Sequence, residues 1–217
     1  MTGQNRDKIV ETFLALLAVE PFERVDLRAV ATRAEISLAD LRKEFGSTFE
    51  ILSAFVRGTD EKVLAAGLDP ELADTPARER LFDVLMQRIE ILKPHREAVR
   101  SLARSARRSP PFALALNGLS LRSAQWMLAA AEIDSGGLQG CVRAQGLIVV
   151  MARTFRVWFG DGDPGLAHHG SARPRACQWR ARAQSVWRSL PARAAFRGRA
   201  ASPPAARRGR RIRRGLK

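Results

Sequence analysis

Cysteine is scarce in this sequence: Cys141 and Cys177 are the only two, and they form neither a CxxC pair nor a metal-ligand spacing. A disulfide framework therefore has no support, and a reducing compartment, the cytoplasm, is the expected location. No secretory signal is expected either, because Met1 leads into polar TGQNRDK rather than a basic stretch and an apolar run. No run of about 18 apolar residues marks a membrane span. Strand-type alternation and internal repeats are absent. His168-His169 lacks a third ligand at a workable spacing, so no metal is expected. Nor does any Ser/His/Asp arrangement, glycine-rich phosphate loop or pair of inward carboxylates stand out, so the sequence predicts neither an enzyme nor a cofactor.

Acid is missing from the last fifty residues. His168 to Lys217 holds 15 of the 37 basic residues and none of the 22 acidic ones, which leaves residues 1–167 with 22 of each. The formal charge of +15 thus describes the end of the chain and says nothing about whether the body binds nucleic acid. The segment is rich in Arg, Ala, Pro and Gly without a sustained apolar period, which predicts disorder. It also has the composition of a GC-rich gene read out of frame. With freely chosen wobble bases, HHGSARPRACQWRARAQSVW back-translates so that a one-base shift reads TMAALDRELANGERALSLF, an amphipathic helix.

Residues 1–167 carry helical periodicity almost throughout, and 46% hydrophobic residues suffice for a core. Asn5 to Glu20 places Ile9, Phe13, Leu14, Leu16 and Leu17 on one face before Pro21 stops it. Asp26 caps a second helix through Leu27, Val30 and Ala31 to Ala34. After a turn at Glu35-Ile36, Ser37 caps a short third helix that ends at Phe45-Gly46, with Asp40 placed to reach back as in a capping box. Ser47 or Thr48 opens a long helix through Ile51, Leu52, Phe55 and Val63 to Gly67. Further helices are expected over Ala77–Leu92, His95–Arg108, Phe112–Ala131 and Leu138–Phe159. HREAVRSLARSARR reads as a solvated basic face and His95 as a solvated residue at a helix start. Trp126 and Met127 read first as core.

The segment FLALLAVEPFERVDLRAVATRAEISLADLRKEFGSTFEILSAF resembles the TetR family of regulators. Val30-Ala31, Ala34, Ile36-Ser37, Leu41 and Phe45 stand where that family has its "IA..A.VS" segment and the anchors of its recognition helix. The resemblance implies an all-α protein: a helix-turn-helix unit over 1–48, a helical ligand-binding and dimerisation domain over 49–167, and the basic tail from 168. It further implies a DNA-binding repressor that answers to a ligand, with an operator, a small apolar effector and a second copy of the chain as partners. Ser37, Leu38, Ala39, Arg42 and Lys43 would meet the major groove or its phosphates, and Thr32, Arg33 and Thr48 the backbone. Glu35 stands where the family has its turn glycine, a position that calls for positive φ. Arg42 takes the place of a phosphate-binding tyrosine. For the effector pocket the candidates are Leu85, Met86, Trp126, Met127, Met151 and Phe155. Family members pair through their last two helices, only one of which survives here, so a homodimer weakened by the tail is expected. WMLAAAEI, the apolar helix over 138–159 and VWFGDGDPGL resemble a second group with the same fold, the ubiquinone-biosynthesis accessory proteins. That alternative implies a lipid binder whose helix-turn-helix is degenerate.

Overall fold

Most helix ends coincide with a local stop or start signal. The computed structural model describes residues 2–72, 74–160 and, beyond these, 181–182, 184–185 and 187–188. Helix α1 (Thr2–Val19) ends before Pro21, and α2 (Leu27–Arg33) begins where the Asp26 carboxylate accepts the Ala29 N–H at 2.7 Å. Ser37 and Ser47 do the same for α3 (Leu38–Glu44) and α4 (Thr48–Ala66), accepting from the Asp40 and Glu50 amides. Such caps each contribute about 1 kcal/mol by satisfying amides that the first turn leaves free. Helix α4 stops at Gly67, whose φ of 70° suits glycine. Next come α5 (Ala77–Leu92), α6 (Arg96–Arg108), α7 (Pro110–Ala130) and α8 (Gly137–Gly160). Pro94 converts the α5–α6 junction into a 3-10 turn, so α6 starts one residue later than the periodicity predicted. No strand occurs among the described residues.

The turn between α2 and α3 places Glu35 at φ 54°. The Ile36 N–H reaches the Ala31 carbonyl and the Glu35 N–H that of Thr32, the paired bonds of a helix end closed by a left-handed residue. Glu132, at φ 56° after α7, repeats the arrangement with Ile133 N–H on Leu128 O and Glu132 N–H on Ala129 O. A side chain in this region costs on the order of 1 kcal/mol relative to glycine. Glu35→Gly is therefore expected to raise the unfolding free energy by about 0.5–1 kcal/mol, less the entropy that glycine adds to the unfolded chain. Urea unfolding checks the sign.

Two cores result. The first gathers Ile9, Phe13, Leu17, Val30, Leu41 and Phe45 with Ile51 and Leu52, joined by Ala98 and Leu102 of α6 and Phe112 of α7. The second fills the bundle of α5, α7 and α8 with Leu81, Leu85, Ile89, Met127, Leu128 and Leu147. The expected solvated face of HREAVRSLARSARR is therefore corrected. Helix α6 is basic on one side only, and its Ala98, Ser101, Leu102 and Ser105 are buried against α1 and its following turn. Ser101 Oγ donates to the Glu20 carbonyl at 2.8 Å, and the Phe22 amide donates to Ser105 Oγ at 3.1 Å. Its arginines reach the other way: Arg96 donates to the carbonyls of Trp158 (2.5 Å) and Phe159 (3.1 Å), and Arg100 also donates to Phe159. Two guanidiniums thereby satisfy the C-terminal carbonyls of α8. His95 is half-buried instead of solvated, 3.7 Å from Glu11 and edge-on to Phe55.

Most of the segment expected to be disordered lies outside the described residues. The six that are described, between 181 and 188, are helical. Trp187 among them is buried against Phe82, with the Arg78 guanidinium 5.7 Å from its ring and donating to its carbonyl. An indole supplies enough apolar surface to dock a short basic segment that composition alone would leave in water.

Candidate functional site

Two features have the geometry of sites: the outer face of α3 and a cavity in the bundle. Helix α3 is seven residues long and is held by what it buries. Leu41 and Phe45 are almost fully enclosed in the first core, and the Arg6 guanidinium lies 4.3 Å over the Phe45 ring. Arg6 also donates to the Glu44 carbonyl at 3.1 Å and pairs with its carboxylate at 3.7 Å. That turns Glu44 toward α1 and away from the outer face.

Leu38, Ala39, Arg42 and Lys43 are all exposed, with Leu38 at 50% despite its apolar side chain. Ser37 is exposed at the cap, and its hydroxyl donates to Asp40 Oδ2 at 2.7 Å. In the expected capping box the carboxylate would instead have taken the cap's own amide. Lys43 Nζ donates to the other oxygen of Asp40 at 2.8 Å. This hydrogen bond, followed by that from Ser37, holds the Asp40 carboxyl below the usual carboxylate range, and the same partner raises Lys43. Both stay charged at neutral pH and largely cancel. Arg42 has no acid partner among the described residues, which makes it the free cation of α3. Thr32 and Arg33 are exposed at the end of α2, and Thr48 sits half-buried on the first turn of α4.

Asp40→Asn removes one negative charge from this face and releases Lys43. If this face meets DNA, as the resemblance implies, affinity for any DNA is expected to rise a few-fold and the salt slope to steepen by roughly one phosphate contact. Fluorescence anisotropy over a salt series reads both.

The cavity has a volume of about 750 Å³ and opens between α4, α5, α6, α7 and α8. Its walls are mainly apolar, with Phe55 of α4, Leu92 of α5, Val99 of α6, and Met151 and Phe155 of α8. Volume and lining fall within the roughly 300–1,000 Å³ common for small-molecule sites. Of the expected pocket residues, Met151 and Phe155 border it. Leu85 borders only a void of about 10 Å³ beside them, and Met86 and Met127 are closed into the second core. Trp126 is in neither place: it is 57% exposed on the outside of α7.

Sequence reasoning missed the polar tie behind the cavity wall. Asp60 of α4 accepts from Arg88 Nη1 of α5 and from Ser123 Oγ of α7 at 2.7 Å. All three are buried, and Arg88 and Ser123 line the cavity. A single Asp inside an otherwise helical stretch was the available signal, since an unpaired charge is rarely fully buried. Among the described residues no cluster of three His, Cys, Asp or Glu side chains could hold a metal, and no helix is long and apolar enough to cross a membrane.

No family profile and no curated protein matches the chain. Solved structures do. A TetR transcriptional regulator from Nitrosomonas europaea superposes with a TM-score of 0.61 at 21% identity, over 84% of this chain and 95% of that one. A protein from Syntrophomonas wolfei assigned to the same family gives 0.59 at 12% identity, over 88% and 96%. NalD, the secondary repressor of the MexAB-OprM multidrug efflux pump in Pseudomonas aeruginosa, gives 0.50 at 13% identity, over 88% and 98%. With its short capped α3 presented outward and its helical bundle behind, this chain has the all-helical fold of the TetR transcriptional regulators.

Proposed function

We propose that this protein is a DNA-binding transcriptional regulator, a repressor whose hold on its operator answers to a small molecule in the bundle cavity. The observation that carries this reading is the outer face of α3. Leu41 and Phe45 anchor a short helix so that Leu38, Ala39 and the unpartnered Arg42 stand in solvent, the arrangement a helix entering the major groove needs. Thr32, Arg33 and Thr48 flank it at positions suited to phosphate, and Ser37 and Lys43 complete the face. Helix α6 links the two sites. Val99 and Ala103 line the cavity, while Ser101 and Ser105 on the opposite side hold α1 and the turn after it. A ligand that shifts α6 moves the base on which α3 is mounted.

On the operator the working unit is a homodimer, formed there from two chains that pair weakly in solution. Leu138 and Val142 on α8 are exposed at 84% and 63%, apolar side chains outside the cavity that a second copy would cover. Residues 168–217 bring fifteen like charges per chain to that neighbourhood if they stand where the resemblance puts a final helix. Self-association is therefore expected to be weak, with monomer dominant in sedimentation at micromolar concentration. A tight dimer would mean that the tail is native or that pairing occurs elsewhere.

The deciding experiment is retention of the intact chain on the DNA upstream of its own gene, in physiological salt and with excess non-specific competitor to occupy the basic tail. Preference for that DNA is the expected result. No preference, with quinone lipid co-purifying instead, would replace this reading by the lipid-carrier one.

A further inference from the structure

The charge around the cavity is as one-sided as its walls are apolar. Arg107 of α6 and Arg153 and Arg156 of α8 border it, and all three are exposed. None makes a hydrogen bond or ion pair with a described residue. Among the described residues no aspartate or glutamate lines the cavity, and α8 contains neither along its whole length. The i,i+3 spacing of Arg153 and Arg156 therefore places two guanidiniums on adjacent turns with no carboxylate on the helix to offset them, an arrangement that like-charge repulsion disfavours in an isolated helix. The fourth arginine, Arg88, is neutralised by Asp60. The amides offer little competing polarity, because Asn117 and Gln145 are bonded to each other across α7 and α8 at 3.3 and 3.2 Å.

A neutral apolar ligand would leave three guanidiniums unused, and a cationic one would be repelled. An acid group fits: its paired oxygens match the guanidinium fork, and three unpaired guanidiniums at the mouth of an apolar cavity favour a negative head above an apolar body. We propose that the cavity takes a single-headed amphipathic acid, with the acid group at Arg107, Arg153 and Arg156 and the apolar body against Phe55, Met151 and Phe155. This deepens the effector reading and rests on it for its regulatory meaning. The binding itself is tested without DNA.

Isothermal titration of the intact chain below micellar concentration would compare dodecanoate, dodecyl phosphate, methyl dodecanoate and dodecylamine. The acids are expected to bind at least roughly tenfold tighter than the ester and the amine, the scale of a lost charge-assisted hydrogen bond. Tighter dodecanoate identifies a carboxylate head and tighter dodecyl phosphate a phosphate head. The pair R153A/R156A is expected to bring the acids down to the level of the ester while leaving the ester unchanged. A103W, which fills the cavity from α6, is expected to abolish binding of both. An ester as tight as the acid overturns the proposal, as does acid binding that survives R153A/R156A and A103W, which would place the acid on the basic tail. Acid binding as expected with DNA retention unaffected would sustain this proposal and remove the regulatory reading instead.

Discussion

Asp60→Ala is expected to lower the unfolding free energy by about 3–5 kcal/mol, the range for breaking a buried ion pair from one side. The Asp60 and Arg88 side chains retain only 11% and 6% exposure, so neither is rescued by water. Arg88 Nε already lacks an acceptor, and removal of the carboxylate would strip Nη1 as well. Ser123 Oγ would lose its acceptor in the same step. The loss is set by the stranded guanidinium more than by the contact that vanishes. Asp60→Leu combined with Arg88→Met removes both charges and fills similar volume, and is expected to recover most of the stability. Urea unfolding of the two singles and the double closes the cycle. An additive double, as unstable as the sum, would mean that the two side chains do not act as a pair.

On the operator, Arg42→Ala is expected to cost about 1–3 kcal/mol if Arg42 reads a base edge. That corresponds to a loss in affinity of roughly five- to 150-fold, confined to the specific DNA. If Arg42 instead grips phosphate, the loss falls equally on operator and scrambled DNA and the salt slope shrinks by about one contact. Lys43→Ala is expected to do less, because the pair it forms with Asp40 is already close to neutral. The measurement is the ratio of affinities for operator and scrambled DNA of equal length. The tail contributes the same charges to both and cancels in that ratio. Affinities and salt slopes left unchanged on both DNAs by either substitution would remove α3 from the DNA contact.

How much could be read from the chain depended on how far each signal reaches along it. The caps at Asp26 and Ser37 and the helix over Ala77–Leu92 are local, set by residues three or four apart, and they came out where the sequence placed them, while of the two caps offered for α4 the structure takes Ser47. Positive φ at Glu35 followed from a resemblance, and the hydrogen bonds of the turn explain it. The face of α7 was read only in part: periodicity placed Met127 inward, as it is, but apolar side chains surround most of that helix and nothing revealed that Trp126 points outward. The tie of Asp60 to Arg88 and Ser123 spans 28 and 63 positions and leaves no spacing to recognise. The cavity is harder still, since it is defined by where helices fail to touch. Only Met151 and Phe155 among its expected residues border it. Helix α6 was misjudged because its arginines suggested solvent, while its small residues Ala98, Ser101 and Ser105 allow close packing on α1.

The position of α6 also governs how stability is shared. Ala98 and Leu102 belong to the first core, while Val99 and Ala103, one residue further on, pack against the second. One stretch of backbone thus serves both, and melting either core would strip α6 of half its packing. The two are expected to unfold as a single cooperative unit. Any molecule that binds the folded cavity stabilises the whole unit by RT ln(1 + [L]/Kd), about 2.7 kcal/mol at a hundred times Kd. That stabilisation reaches α2 and α3 without a single contact to them, so under the proposed function a ligand that weakens the grip on DNA would at the same time make the unit meant to hold the DNA harder to unfold.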